Sequence, residues 1–117
     1  MLRLDHVQLA IPQGSEDFCR RFYAAVLGMT EVEKPAALAG RGGLWLESGS
    51  VRIRLGVEED FRPARKAHPA IVVRSLDGLA QALSATGYAP SWDDAIPRVR
   101  RFYVSDPVGN RIEFMEA

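Results

Sequence analysis

Polar and apolar residues alternate from Leu2 to Ile11, placing Leu2, Leu4, His6, Gln8 and Ala10 on one face and Val7, Leu9 and Ile11 on the other. That period predicts a strand, ended by Pro12-Gln13-Gly14. Ser15 has the chemistry of an N-cap, and Glu16 and Asp17 suit the positive end of a first helical turn. Phe18, Phe22 and Val26 recur at a spacing of four, as do Cys19, Tyr23 and Leu27. This predicts a helix of about three turns with a broad apolar stripe, closed by Gly28. Thr30 to Lys34 reads as a short strand stopped by Pro35, and Ala36 to Gly43 as a loop of small residues. Leu44 to Glu47 and Val51 to Val57 form an expected hairpin around Ser48-Gly49-Ser50.

Glu58 to Ala67 is polar, carries Pro63 and reads as a connection. The pattern then begins again. Ala67 to Arg74 is an expected strand containing His68. Ser75 caps a helix marked by Leu76, Leu79, Ala80 and Leu83, and Gly87 closes it. A short strand is expected over Tyr88 to Trp92, a loop over Asp93 to Arg98, and a hairpin over Arg101 to Glu116. The turn of that hairpin is Asp106-Pro107-Val108-Gly109, in which Pro presets φ and Gly permits the closing position. Beyond it, Arg111, Glu113 and Met115 face one way and Ile112 and Phe114 the other.

The chain thus carries the order strand, helix, three strands twice. The predicted class is α+β, with one domain over 1–117 built from module one at about 1–58 and module two at about 67–117. His6 and His68 fall at equivalent places in the two modules, as do Gly28 and Gly87, and Gly49 and Gly109. Two such sheets are expected to curl as half-barrels around a shared cleft, with the helices covering the outer, apolar faces.

Composition narrows the function classes. Among the 117 residues, Lys plus Arg and Asp plus Glu number 15 each, so no global field draws nucleic acid or anionic lipid. The basic clusters Arg62-Arg65-Lys66 and Arg98-Arg100-Arg101 read as solvated faces. Cys19 is the sole cysteine, which suits a reducing, cytoplasmic compartment. Met1 to Ile11 alternates rather than forming a signal peptide, and no segment has the run of apolar residues that spans a membrane.

A doubled βαβββ unit, a His in the first strand of each module and Asp-Pro-x-Gly-Asn-Arg-x-Glu at 106–113 resemble the vicinal oxygen chelate superfamily. That group includes glyoxalase I, extradiol dioxygenases, fosfomycin-resistance enzymes and bleomycin-binding proteins. The resemblance covers the chain from Leu4 to Met115. It implies a glyoxalase-like domain whose metal ligands, carried over by position, are His6, His68 and Glu113. Counting four residues beyond Gly49 makes Ile53 the counterpart of Glu113 in the first module, which leaves three protein ligands. Two imidazoles and a carboxylate suit one divalent ion, Fe, Mn, Zn or Ni, with positions open for a substrate that chelates through neighbouring oxygens.

Departures from the family's patterns narrow the reaction. Ile53 lacks the carboxylate that moves a proton in glyoxalase I. Gln8 and the run Ile96 to Arg100 depart from the fosfomycin-resistance pattern. The extradiol signature keeps its tail at Phe102, Tyr103, Asp106, Pro107, Gly109 and Glu113 but lacks its upstream His. The resemblance then implies an enzyme of lyase, isomerase or dioxygenase type acting on a small molecule. Tyr103 and Glu113 are its expected catalytic residues, and Gln8, Trp45, Arg54, Trp92 and Arg100 its substrate-binding residues. Core packing is the competing role for Trp45 and Trp92. The alternative is a metal-independent protein of bleomycin-resistance type that sequesters a drug-like molecule, with the tryptophans as stacking surface. The resemblance also implies a homodimer whose sites are shared between subunits.

Overall fold

The computed structural model describes residues 1–117. They divide into two compact units, Met1–Pro63 and Ala64–Ala117. The first contains β1 (Val7–Ile11), α1 (Glu16–Cys19), β2 (Thr30–Val32), β3 (Leu44–Ser48) and β4 (Val51–Val57). The second contains β5 (Ala70–Val73), α2 (Leu76–Ala85), β6 (Ser91–Asp93), β7 (Arg101–Ser105) and β8 (Arg111–Glu116). Each unit is a βαβββ module with a four-stranded sheet, ordered β1-β4-β3-β2 in one and β5-β8-β7-β6 in the other. The first and last strands of each unit pair in parallel and the hairpins pair antiparallel. The α+β repeat expected from the sequence is present.

In the first unit Ile11, Cys19, Phe22, Tyr23, Leu44, Leu46, Ile53 and Leu55 are buried. They come from alternate strand positions and one side of the helix, as the periodicity requires. The helix runs on from α1 as a π-helical segment, Arg20–Val26; Phe22 and Tyr23 are buried and Phe18 is exposed. Ser15 does not cap the helix through its side chain; its hydroxyl donates to Pro12 O at 2.7 Å. The expected small-residue loop contains a 3-10 segment, Ala36–Arg41.

In the second unit Leu76, Leu83, Phe102, Val104, Ile112 and Phe114 form the core. The Ser75 hydroxyl caps α2 by accepting from Gly78 N at 3.2 Å, which satisfies one of the orphan donors of the first turn. Leu76 N, another of them, donates to Glu116 Oε1 at 3.2 Å and ties the helix to β8.

Two boundaries differ from expectation with consequences for the site. The first strand of each unit begins later than the alternation suggests, at Val7 and at Ala70. His6 and His68 therefore lie on the approaches to these strands rather than within them.

Candidate functional site

In the second unit, the turn before β8 sets the position of Glu113. Asp106 Oδ1 accepts from Asn110 N at 2.8 Å and from Val108 N at 3.0 Å, and Asp106 N donates to Asn110 O at 2.8 Å. Gly109 supplies the positive φ of 97° that closes this loop. Asp106 and Asn110 are both buried, so the Asp-Pro-x-Gly-Asn stretch is turn-building. Its product is a fixed register in which Glu113 pairs with Tyr103 on one side and Ala70 on the other. The ladder extends one step further, because Glu113 N donates to Pro69 O at 3.0 Å. Pro69 lacks a donor but not an acceptor, and this bond brings His68 beside the Glu113 side chain.

The result is a compact polar cluster. His68 Nε2 lies 3.0 Å from Glu113 Oε1, and His68 Nδ1 lies 2.8 Å from Lys66 O. The Tyr103 ring meets the His68 ring edge-on at 5.2 Å, and the Arg111 guanidinium sits 3.9 Å above Tyr103. Glu113 is only 5% exposed, and Arg101 Nη1 donates to its second oxygen at 3.3 Å. Burial pushes the Glu113 carboxyl up, but hydrogen bonds from His68 and Arg101, with their charges, outweigh it and hold the group below its usual 4.5. Arg101 also lies 3.4 Å from Asp93 and keeps a buried Nε without a partner.

The donor pattern around His68 decides what this cluster can hold. Lys66 O can only accept, so Nδ1 carries a hydrogen and the lone pair of a neutral ring is at Nε2. That lone pair would face a carboxylate oxygen, which is repulsive. The arrangement is favourable only with a positive charge at Nε2, either a proton or a metal ion bound by both groups. A metal-bound histidine also commonly donates its other ring N–H to a backbone carbonyl, which fixes the tautomer and the ring orientation. The chemistry of this donor set therefore fits a divalent cation.

In the first unit, His6 Nδ1 lies 2.9 Å from Asp5 Oδ2 and His6 Nε2 lies 3.4 Å from Arg54 Nη1. A guanidinium only donates, so Nε2 holds the lone pair and Nδ1–H donates to Asp5. The His6 hydrogen bond, joined by the charges of Arg52 and Arg54, holds Asp5 below its usual value. His6 thus presents the same nitrogen as His68, oriented by a carboxylate in place of a carbonyl. Arg54 in turn stacks on Trp45 at 3.6 Å. Both border a cavity of about 300 Å³ that also includes Gln8, Lys34, Leu38 and Arg41. Within neither unit do three His, Cys, Asp or Glu side chains gather as a metal-binding group.

The register corrects one expectation. Ile53 is buried on the apolar face, and the first-unit counterpart of Glu113 is Arg54. Gln8 pairs with Arg54 in parallel, and Trp45 faces it across the hairpin, as Ala70 and Tyr103 do for Glu113. Counting from the turn glycines fails because the turns differ in length. Ser48 pairs with Val51, whereas Ser105 pairs with Arg111 across a longer loop. A guanidinium therefore stands where the second unit has a carboxylate, and the first unit contributes one candidate ligand.

The remaining candidates lie apart from Glu113 within the second unit. Trp92 pairs with Phe102, on the opposite face of the sheet from Tyr103, and is 49% exposed. Arg100 donates to Asp77 at 2.8 Å and to Glu116 at 3.0 Å and lies 5.1 Å from Trp92. Arg101, not Arg100, reaches Glu113. Sequence reasoning passed over Arg101, Asp5, Lys34 and Arg41. Parity offered a signal for Arg101, since it shares the face of Tyr103, while adjacency to His6 offered one for Asp5.

No family model matches the chain, and no curated protein matches it. Among solved structures, a glyoxalase family protein from Bacillus anthracis is 49% identical, with a TM-score of 0.95; the match covers 99% of this chain and 95% of that one. A glyoxalase/dioxygenase from Nostoc punctiforme is 21% identical over 97% of this chain and 90% of its own, with a TM-score of 0.78. An antibiotic binding protein from a Streptomyces species is 19% identical over 99% and 98%, with a TM-score of 0.73. These last two share the fold. The Bacillus anthracis protein is close enough in sequence to carry family membership, and the chain belongs to the glyoxalase family within the vicinal oxygen chelate superfamily.

Proposed function

We propose that the protein is a divalent-metal-dependent enzyme acting on a small substrate held through two neighbouring oxygens, in a reaction of lyase, isomerase or dioxygenase type. His6, His68 and Glu113 are the proposed ligands of Fe, Mn, Zn or Ni. The observation that supports the reading is the His68–Glu113 pair, in which Nε2 and Oε1 approach to 3.0 Å, as two ligands of one ion would. A bound metal supplies Lewis acidity that polarises a substrate oxygen. Glu113 acts through Oε1, because Arg101 holds Oε2. Tyr103, directly across the strand pair from Glu113, is the proposed proton donor, its ring held between His68 and Arg111. Arg54 is placed to fix an anionic group, since it already bridges His6 and Trp45.

The proposed assembly is a homodimer in which His6 of one copy completes the site of His68 and Glu113 from the other. The test of the reaction is a screen of 2-oxoaldehyde–thiol adducts, catechols and 2-oxo acids, each with Mn(II), Fe(II), Ni(II) and Zn(II). Turnover is expected with at least one pairing and is lost on chelation and in Glu113→Gln. A second reading, sequestration of an aromatic molecule without metal, is favoured by the Trp45–Arg54 stack beside an open cavity. Tight binding of an aromatic ligand that survives chelation, with no turnover anywhere in the screen, would select it.

A further inference from the structure

The first-unit cavity has a one-sided charge. Lys34, Arg41 and Arg54 border it, and no carboxylate does. Arg54 lies 3.8 Å from Asp5 and the Lys34 charge is felt by Glu16, but neither Lys34 nor Arg41 enters an ion pair. Lys34 Nζ donates to Gly42 O, which directs the ammonium to the cavity wall and leaves two of its three donors unused. Arg54 is fixed by its stack on Trp45 and so needs little ordering on binding. Gly56 contributes the remaining feature. A Cβ there would come within 2.5 Å of Gln8 Nε2, so its absence is what lets the Gln8 carboxamide lie over the strand and into the cavity. The lining thus combines three cations and an amide with the apolar surfaces of Trp45 and Leu38. The volume of about 300 Å³ suits a small metabolite.

We infer that this cavity binds a small organic oxyanion, with its charged group among Lys34, Arg41 and Arg54 and its apolar part against Trp45 and Leu38. Carboxylates and phosphate esters share the chemistry that these residues recognise. Arg54 touches both the cavity and His6 Nε2, so the bound anion lies one side chain from a proposed metal ligand. The identification of the anion as the charged end of the substrate rests on the enzymatic reading above; its binding does not.

The test is calorimetric titration of metal-stripped full-length protein with benzoate, phenyl phosphate, inorganic phosphate and neutral benzamide. Benzoate or phenyl phosphate is expected to bind at least about tenfold more tightly than benzamide, and the stronger of the two identifies the anion. Inorganic phosphate separates recognition of the charge from recognition of the ring. The double variant Lys34→Gln/Arg41→Gln should lose about tenfold or more of that affinity. Both side chains are peripheral to the core, and Arg41→Glu provides a second variant that should abolish binding by charge reversal. Failure of every anion to bind, equal binding of benzamide, or undiminished anion binding in both variants would overturn the inference. Anion binding without any metal site would leave this inference standing and remove the metal reading. Metal binding with no anion affinity would do the reverse.

Discussion

At the residue scale the cluster around Glu113 is a nearly buried carboxylate whose two oxygens are each claimed, one by His68 and one by Arg101. A buried charge that loses a partner carries its desolvation cost uncompensated. Arg101→Leu is therefore expected to lower stability by about 1–3 kcal/mol, read from the urea midpoint. Adding Glu113→Gln to that variant should recover part of the loss, since a neutral amide needs less. An unchanged midpoint in Arg101→Leu would mean that the pair contributes nothing. Of this cluster, His68 and Glu113 were singled out in the sequence, because a histidine at a matching point of a repeat and a glutamate after Asp-Pro-x-Gly are distinctive; His6 lies in the first unit, and its part in the site is a proposal. Arg54 as the counterpart of Glu113 was not, since register depends on turn length and a one-residue slip moves a side chain to the opposite face. Arg100 and Arg101 were adjacent basic residues whose roles only strand parity separates.

At the element scale the first helix and β3 are joined at one point. Gly43 N donates to Glu16 Oε2 at 3.0 Å, and Gly43 has φ of 82° with no room for a Cβ, which would lie 2.1 Å from Leu55 O. Gly43→Ala should cost at least about 3 kcal/mol, combining left-handed strain with a backbone clash, measured as a fall in Tm. The amide of Gly43, followed by the nearby Arg20 and Lys34 charges, lowers the Glu16 carboxyl below its usual 4.5. A lowered carboxylate stabilises the fold above its unfolded value, and that contribution disappears as pH falls through the native value. Glu16→Gln should therefore cost about 1 kcal/mol at pH 7, after allowing for solvent screening. Wild type and variant should converge as pH falls below the lowered native value of this carboxyl. A constant difference across the acid range would contradict this. Most strands and both helices were legible from periodicity. The π-helical winding of Arg20–Val26 and the 3-10 segment Ala36–Arg41 were not, because hydrogen-bond shifts of one residue leave little trace in apolar spacing.

At the scale of the whole molecule, the repeat was legible because each unit needs one apolar sheet face and one apolar helix stripe, and the chain writes that pattern twice. Residue chemistry is not repeated, and the two units have diverged to a cation-lined cavity in one and a His–Glu cluster in the other. The proposed sharing of sites between subunits makes a stoichiometric prediction. His6→Ala and Glu113→Ala are each expected, alone, to lose at least about tenfold in metal affinity. Mixed and re-equilibrated in equal amounts, they should recover about one quarter of the wild-type sites, because half of the dimers are mixed and one site in each of those is intact. No recovery, or a monomer at micromolar concentration by sedimentation, would rule out the shared arrangement while leaving an intrachain site open.

The central claim is that His6, His68 and Glu113 hold one divalent ion. Titration of the stripped protein at pH 7 with Mn(II), Ni(II) and Zn(II), followed by metal analysis after dialysis, tests it directly. About one equivalent per chain is expected for the preferred ion, with a rise in Tm that follows mass action. His6→Ala, His68→Ala and Glu113→Ala should each lose at least about tenfold in affinity. Equal, sub-stoichiometric metal in the wild type and all three variants would contradict it.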